Sequence, residues 1–202
     1  MLVRHGKTPT TGTTLPGRAP GLHLSEEGLA QAGVAAARIA ELKRAPKAVY
    51  ASPLERTRET AAPIAKALGL KVQRHRGLLE CDFGTWTGKR LDQLSKKPEW
   101  TTVQRWPSGF RFPEGESFAE MASRSFEAVL EIAAAHRGQT VVAVSHADPI
   151  KAILANALGT PLDLFQRYVV SPCSISTIVV SSGGCHVLAV NQTASLNDLA
   201  LS

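Results

Sequence analysis

The run "TVVAVSHADPIKAILANALG", residues 140–159, sets a β-branched stretch directly against a helical one. Val141, Val142 and Val144 suit a buried strand, while Asp148 followed by Pro149 reads as an N-cap and first helical residue. Parallel neighbours need a long crossover to bring the chain back to the same edge, so strand-into-helix is the building unit of a parallel sheet. The passage recurs. "KAVYAS", residues 47–52, runs into "SPLERTRETAAPIAKALG", and "LVRHG", residues 2–6, precedes a helix expected from Ser25 to about Arg44, where Leu29, Ala32, Ala36, Ile39 and Ala40 keep helical spacing. The expected architecture is a three-layer α/β fold, with a mostly parallel central sheet and helices on both faces.

The remaining elements follow from punctuation. In the second helix Ser52, Pro53 and Glu55 match a capping box with proline at the first position, and Pro63 predicts a kink or fresh start near Ala62. Residues 70–74 read as a strand. From about 86 to 117 the pattern is irregular, broken by one short helix near Arg90 to Ser95. Ser117 and Glu120 form another capping box, opening a long helix to about His136, and two last strands are expected near 174–181 and 186–190. Nothing repeats at a fixed period, and a chain of 202 residues fits one domain spanning 1–202.

Composition removes several classes. No apolar run approaches the roughly 18 residues of a membrane span, and the N-terminus lacks a signal pattern, so a cytoplasmic protein without a membrane partner is expected. Cys81, Cys173 and Cys185 form no C-x-x-C pair, which fits a reducing compartment. The +6 net charge comes from basic residues scattered in ones and twos, without a nucleic-acid motif. "GTWTGKR" has one residue too few between its glycines for a P-loop and carries Arg90 where Ser or Thr belongs.

In a sheet of this kind ligands gather at the carboxyl edge, where strands end and helices begin. Arg4 and His5 end the first strand, Arg56 lies in the first turn after the second, and His146 ends "VVAVSH". Such cations packed together repel and lose hydration. A phosphoryl group between them reverses the sign, since the guanidinium fork matches its oxygens at roughly 1.5 to 3 kcal/mol per charge-assisted bond.

These segments resemble a known family. "LVRHGKT", "SPLERTRETA", "LLECDFGTWTGK" and "VSHADPIKA" occur in the order of the histidine phosphatase superfamily, which includes cofactor-dependent phosphoglycerate mutase and many small phosphatases. "GLHLSEEGLAQA" and "NQTASL" match its surroundings as well. The resemblance implies that His5 is the nucleophile, that Arg4, Arg56 and His146 hold the phosphoryl oxygens, and that Glu80 is the proton donor. It extends to Thr8, Thr11 and Ala147 as phosphate-binding and to Gly17 and Arg18 as substrate-binding positions. It implies no metal and no cofactor, a small phosphomonoester as substrate, and leaves a homodimer open.

Two positions depart from the family pattern: Thr11 stands where relatives commonly have asparagine, and Ala147 follows the late histidine in place of glycine. The first strand also starts close to Met1, with three residues before Arg4. The leading expectation is a phosphomonoesterase. A phosphomutase is the alternative, disfavoured because 65 residues separate Glu80 from His146 and such mutases usually have a longer insertion there. A non-catalytic phosphate-binding module is the third reading, and loss of His5 or Glu80 would have been its mark. Trp86, Trp100, Trp106, Phe110, Arg105 and Arg111 are candidate walls for the rest of the substrate, most of the aromatics being expected in structural roles. Glu80 sits among Leu78, Leu79, Phe83 and Trp86, surroundings expected to raise its pKa.

Overall fold

The computed structural model describes residues 1–195, so Leu196 of "NQTASL" lies outside them. Six strands, β1 (Leu2–Arg4), β2 (Ala48–Ala51), β3 (Val72–Arg74), β4 (Val141–Ser145), β5 (Ile175–Ser181) and β6 (Gly184–Gln192), form one sheet. Their order across it is β3, β2, β4, β1, β5, β6. The first four in that order are mutually parallel, whereas β5 runs antiparallel to β1 and pairs with β6 in a hairpin. Only two residues join β5 to β6, too few for a parallel crossover.

The helices are α1 (Glu26–Ala40), α2 (Glu55–Ala67), α3 (Leu91–Leu94), α4 (Trp100–Arg105), α5 (Phe118–Ala135) and α6 (Ala147–Ala157). Alternation along the strands decides which helix covers which face. Val3, Val49, Val142 and Val144 pack against Ala36 and Ile39 of α1 and Ala61 and Ile64 of α2. Leu2 and Ala143, one step away, pack against Val129 and Ile132 of α5 and Ile150 and Ile153 of α6. A one-residue slip of β1 or β4 would swap the two sets, so the register that aligns the strand ends is held from both sides.

A third cluster grows from the irregular segment. Phe83, Trp86, Phe110 and Phe112 interlock with Phe118 of α5 and Phe165. Trp86 and Phe110 are therefore core residues, Trp106 lies exposed, and Arg111 pairs with Glu120. None of the described helices is long and apolar enough to cross a membrane.

Several boundaries differ from the sequence expectations. Helix α1 stops at Ala40 rather than Arg44, where its apolar periodicity ends and Pro46 biases the preceding residue away from helix. Helix α2 is capped by Leu54 without a side-chain bond, so the capping box on Ser52 does not form, and it runs unbroken through Pro63. Helix α6 begins at Ala147, two residues before Pro149, with His146 at the N-cap. The capping box of α5 forms as expected, and the irregular region contains α4 besides the short helix foreseen near residue 91.

Candidate active site

The carboxyl ends of β1, β2 and β4 lie side by side because Arg4 pairs with Ser145, and Ala51 with Val144. One residue further on, the chain places His5, Ser52 and His146 at a common edge. The rings of His5 and His146 sit edge to face, 5.2 Å apart. Helices α2 and α6 both start here, and neither spends a side chain capping its first turn. Their first N–H groups have no intrahelical acceptors, so both helices present donors and positive dipole ends to this edge.

His5 is buried, and its Nδ1 lies 2.8 Å from the Gly6 carbonyl oxygen. A carbonyl accepts only, so Nδ1 carries the hydrogen and Nε2 keeps its lone pair. The Nε–H of Arg56 donates to that lone pair at 3.3 Å. Burial first, then the charges of Arg56 and Arg4, hold the His5 pKa well below the ordinary histidine value. The ring is neutral at pH 7, the state in which Nε2 is a nucleophile.

Arg56 is fully buried; one arm donates to the Gly17 carbonyl at 2.8 Å, while its Nη1 has no partner among the described residues. Arg4 donates to the Val170 carbonyl at 2.6 Å and leaves its Nε unpaired. His146 binds Ser52 Oγ through Nε2 at 2.9 Å and leaves Nδ1 without a hydrogen bond, 3.9 Å from Glu80 Oε2. Arg4, Arg56 and His146, all expected to bind phosphate, thus each keep one buried polar atom without a partner among the described residues. Buried polar groups are ordinarily paired, so this arrangement favours an anion with several oxygens.

Glu80 completes the cluster. Its carboxylate is buried and accepts the Cys81 N–H at 3.0 Å. Burial, then the charge of Asp148, raises its pKa from 4.5 to about 7, against the opposing pull of Arg56 and Arg4. A carboxyl group in that range can hold a proton at neutral pH and release it to a leaving oxygen.

The family model of the histidine phosphatase superfamily, branch 1, matches residues 1–193. The chain belongs to this superfamily. Phosphoserine phosphatase 1 of Hydrogenobacter thermophilus is 34% identical over 98% of the chain and 94% of that protein. A probable phosphoglycerate mutase of Erwinia tasmaniensis is 33% identical over 88% of the chain and 82% of its own length. Among solved structures, a mutant phosphoserine phosphatase from Entamoeba histolytica in complex with phosphoserine superposes with a TM-score of 0.86, at 25% identity and 96% and 97% coverage.

Within this superfamily member, the other expected site residues divide by what they touch. Thr8 is buried and Thr11 is half-buried; the Thr11 hydroxyl accepts from the Thr8 N–H at 2.9 Å and lies 3.0 Å from its Oγ1, bracing the loop after His5. Ala147 supplies the first N–H of α6. Gly17 is the acceptor for Arg56, and Arg18 bonds the Glu80 carbonyl, Glu116 and Asp82. Among the described residues no group of three or more His, Cys, Asp or Glu is arranged to hold a metal ion.

Two contributors escaped the sequence reading. Ser52 was expected to cap α2 and instead binds His146, and Thr60 accepts the Gly6 N–H at 3.0 Å while donating to the Arg56 carbonyl. Their signal is present in "SPLERTRET", but only the sheet order reveals that each faces another strand.

Proposed function

We propose that this chain hydrolyses a small phosphomonoester through a phosphohistidine on His5, with Glu80 as acid and then base. The observation that carries the reading is the buried His5 ring, with its Nδ1 committed to the Gly6 carbonyl and its Nε2 lone pair accepting from Arg56. Nε2 attacks phosphorus, the bond from phosphorus to the ester oxygen breaks, and the Glu80 carboxyl delivers its proton to that oxygen. Water then gives its proton to the Glu80 carboxylate as it attacks phosphorus, the P–N bond breaks, and the neutral imidazole returns. Splitting one displacement in this way lowers each barrier, and a placed acid adds about 10²- to 10⁴-fold.

Arg4, Arg56 and the Nδ1 of His146, with Thr8, Thr11 and the N–H of Ala147, hold the non-bridging oxygens, where charge stabilisation is most of what phosphoryl transfer needs. The segment from 86 to 117 covers the rest of the substrate, and the chain works as one domain in the cytoplasm. Phosphoserine and phosphoglycerates are the first substrates to test, given the names of the relatives.

Rapid mixing with radiolabelled phosphoserine or 3-phosphoglycerate should trap an acid-labile, alkali-stable phosphoenzyme and then release inorganic phosphate. His5→Ala should trap none and lose at least about 10³-fold in kcat. A label that moves to a second substrate molecule instead of water would favour the mutase reading. Unchanged turnover in His5→Ala would sink both.

A further inference from the structure

Glu80 lies on an irregular stretch, yet acid catalysis needs its carboxyl group held within a fraction of an ångström of the leaving oxygen. Its main chain is gripped from two sides. Arg18 Nε donates to the Glu80 carbonyl at 2.8 Å, and Arg124, from α5, reaches the same carbonyl at 3.4 Å and those of Gly77 and Leu79 at 2.9 and 3.0 Å. Both arginines end on one carboxylate, Glu116. Arg18 donates to its Oε2 at 2.9 Å, and Arg124 makes a two-pronged contact at 2.7 and 2.8 Å. The Asp82 N–H donates to Glu116 Oε2 as well, while the Glu116 N–H donates to the Asp82 carbonyl.

The close approach that permits this depends on two glycines. A Cβ on Gly115 would lie 2.4 Å from the Asp82 oxygen, and one on Gly84, at φ +49°, 2.0 Å from the Pro113 oxygen. Burial works to raise the Glu116 pKa, but the Arg124 hydrogen bond and the charges of Arg124 and Arg18 together hold it below the usual carboxylate value. It stays charged, so the grip persists across the working pH range. The loop carrying Arg18 also carries Gly17, whose carbonyl anchors Arg56. One surface-side carboxylate therefore ties together the segments that hold the acid and the phosphate-facing arginine.

We infer that Glu116 is the positioning residue for the acid: through Arg18 and Arg124 it fixes the main chain at Glu80 and so aims the carboxyl group at the leaving oxygen. The inference rests on the reading of Glu80 as the acid. Its signature is dependence on the leaving group. An alkyl phosphate needs a proton as its oxygen departs, whereas p-nitrophenyl phosphate has a leaving group stable without one. The ratio kcat/KM covers the steps through that departure and excludes later hydrolysis, so it isolates the acid.

The test compares Glu116→Gln, Arg18→Gln and Glu80→Gln with wild type on phosphoserine, or the best alkyl phosphate found, and on p-nitrophenyl phosphate. Glutamine cannot accept with both ends, so Glu116→Gln should lose about tenfold or more on the alkyl phosphate and under about threefold on p-nitrophenyl phosphate. Arg18→Gln, at a half-exposed position, should show the same selectivity, which keeps the test available if the Glu116 variant does not fold. Glu80→Gln should show it most strongly, at about a hundredfold. Equal losses on both substrates, or none, in a folded Glu116→Gln or Arg18→Gln would overturn the positioning role. A Glu80→Gln variant without selectivity would overturn the reading of Glu80 itself.

Discussion

At the scale of single residues, Glu80 and His5 are tuned in opposite directions by the same burial. Desolvation favours the neutral form of each, raising the carboxyl pKa to about 7 and pressing the imidazole well below its usual value. On the proposed mechanism, nucleophile and acid are thus in their working states together below about pH 7. As pH rises through about 7, Glu80 loses its proton and kcat/KM on an alkyl phosphate should fall, a limb that Glu80→Gln should lack. Stability should follow the same titration. The folded pKa lies above that of the unfolded chain, so the folded state binds the proton more tightly; its contribution is full below about pH 4.5 and is lost as pH rises through about 7. Glu80→Gln should therefore be more stable than wild type at pH 8, on the order of 3 kcal/mol, and nearly equal at pH 4.5. Urea unfolding at the two pH values measures this, and an equal gap at both would refute it.

At the scale of elements, the site is assembled from junctions, and the side chains that join them are small. Thr60, in the second turn of α2, accepts the Gly6 N–H, and the Gly6 carbonyl orients His5. Thr60→Val keeps the shape and leaves that buried N–H unpaired, so urea unfolding should report a loss of about 1 to 3 kcal/mol, with a fall in kcat from a less constrained His5 ring. A loss below about half a kcal/mol would mean that α2 does not latch this loop. Legibility in the sequence was limited at this scale. Strand β4 was readable from its β-branched run, β2 from a short apolar run, and α5 from its capping box, because those signals are local. Ser52 carried the pattern of an N-cap, but its hydroxyl is taken by His146, 94 residues away. Likewise Asp148 and Pro149 looked like the start of α6, whereas the helix begins at Ala147 with His146 at its N-cap. Tertiary partners overrode local preference at the site, where the chain leaves helix ends uncapped for a ligand.

At the scale of the whole molecule, the fold gathers polar side chains at one edge and leaves part of each of three of them unpaired. Arg4, His5, Arg56 and His146 were legible as a cluster because each stands at the end of a strand or the start of a helix, a position that topology converts into proximity. The clamp on Glu116 was not, since its partners come from residues 18, 82 and 124 and no motif spans them. Among the described residues Arg4 Nε, Arg56 Nη1 and His146 Nδ1 have no hydrogen-bond partner, and burial opposes the charge on both arginines. An anion that binds the folded chain and not the unfolded one stabilises it by RT ln(1 + [L]/Kd), about 2.7 kcal/mol at a hundred times Kd. For a chain of this size that is a rise of roughly 5 to 10 °C in Tm. Millimolar inorganic phosphate or vanadate should produce it, and potassium chloride at equal ionic strength should not. Arg4→Met, at a half-exposed position, should weaken the response without abolishing it, because Arg56 and His146 remain. An equal rise in chloride, or an undiminished one in Arg4→Met, would mean that the stabilisation arises outside this cluster and that the unpaired donors are not a phosphoryl site.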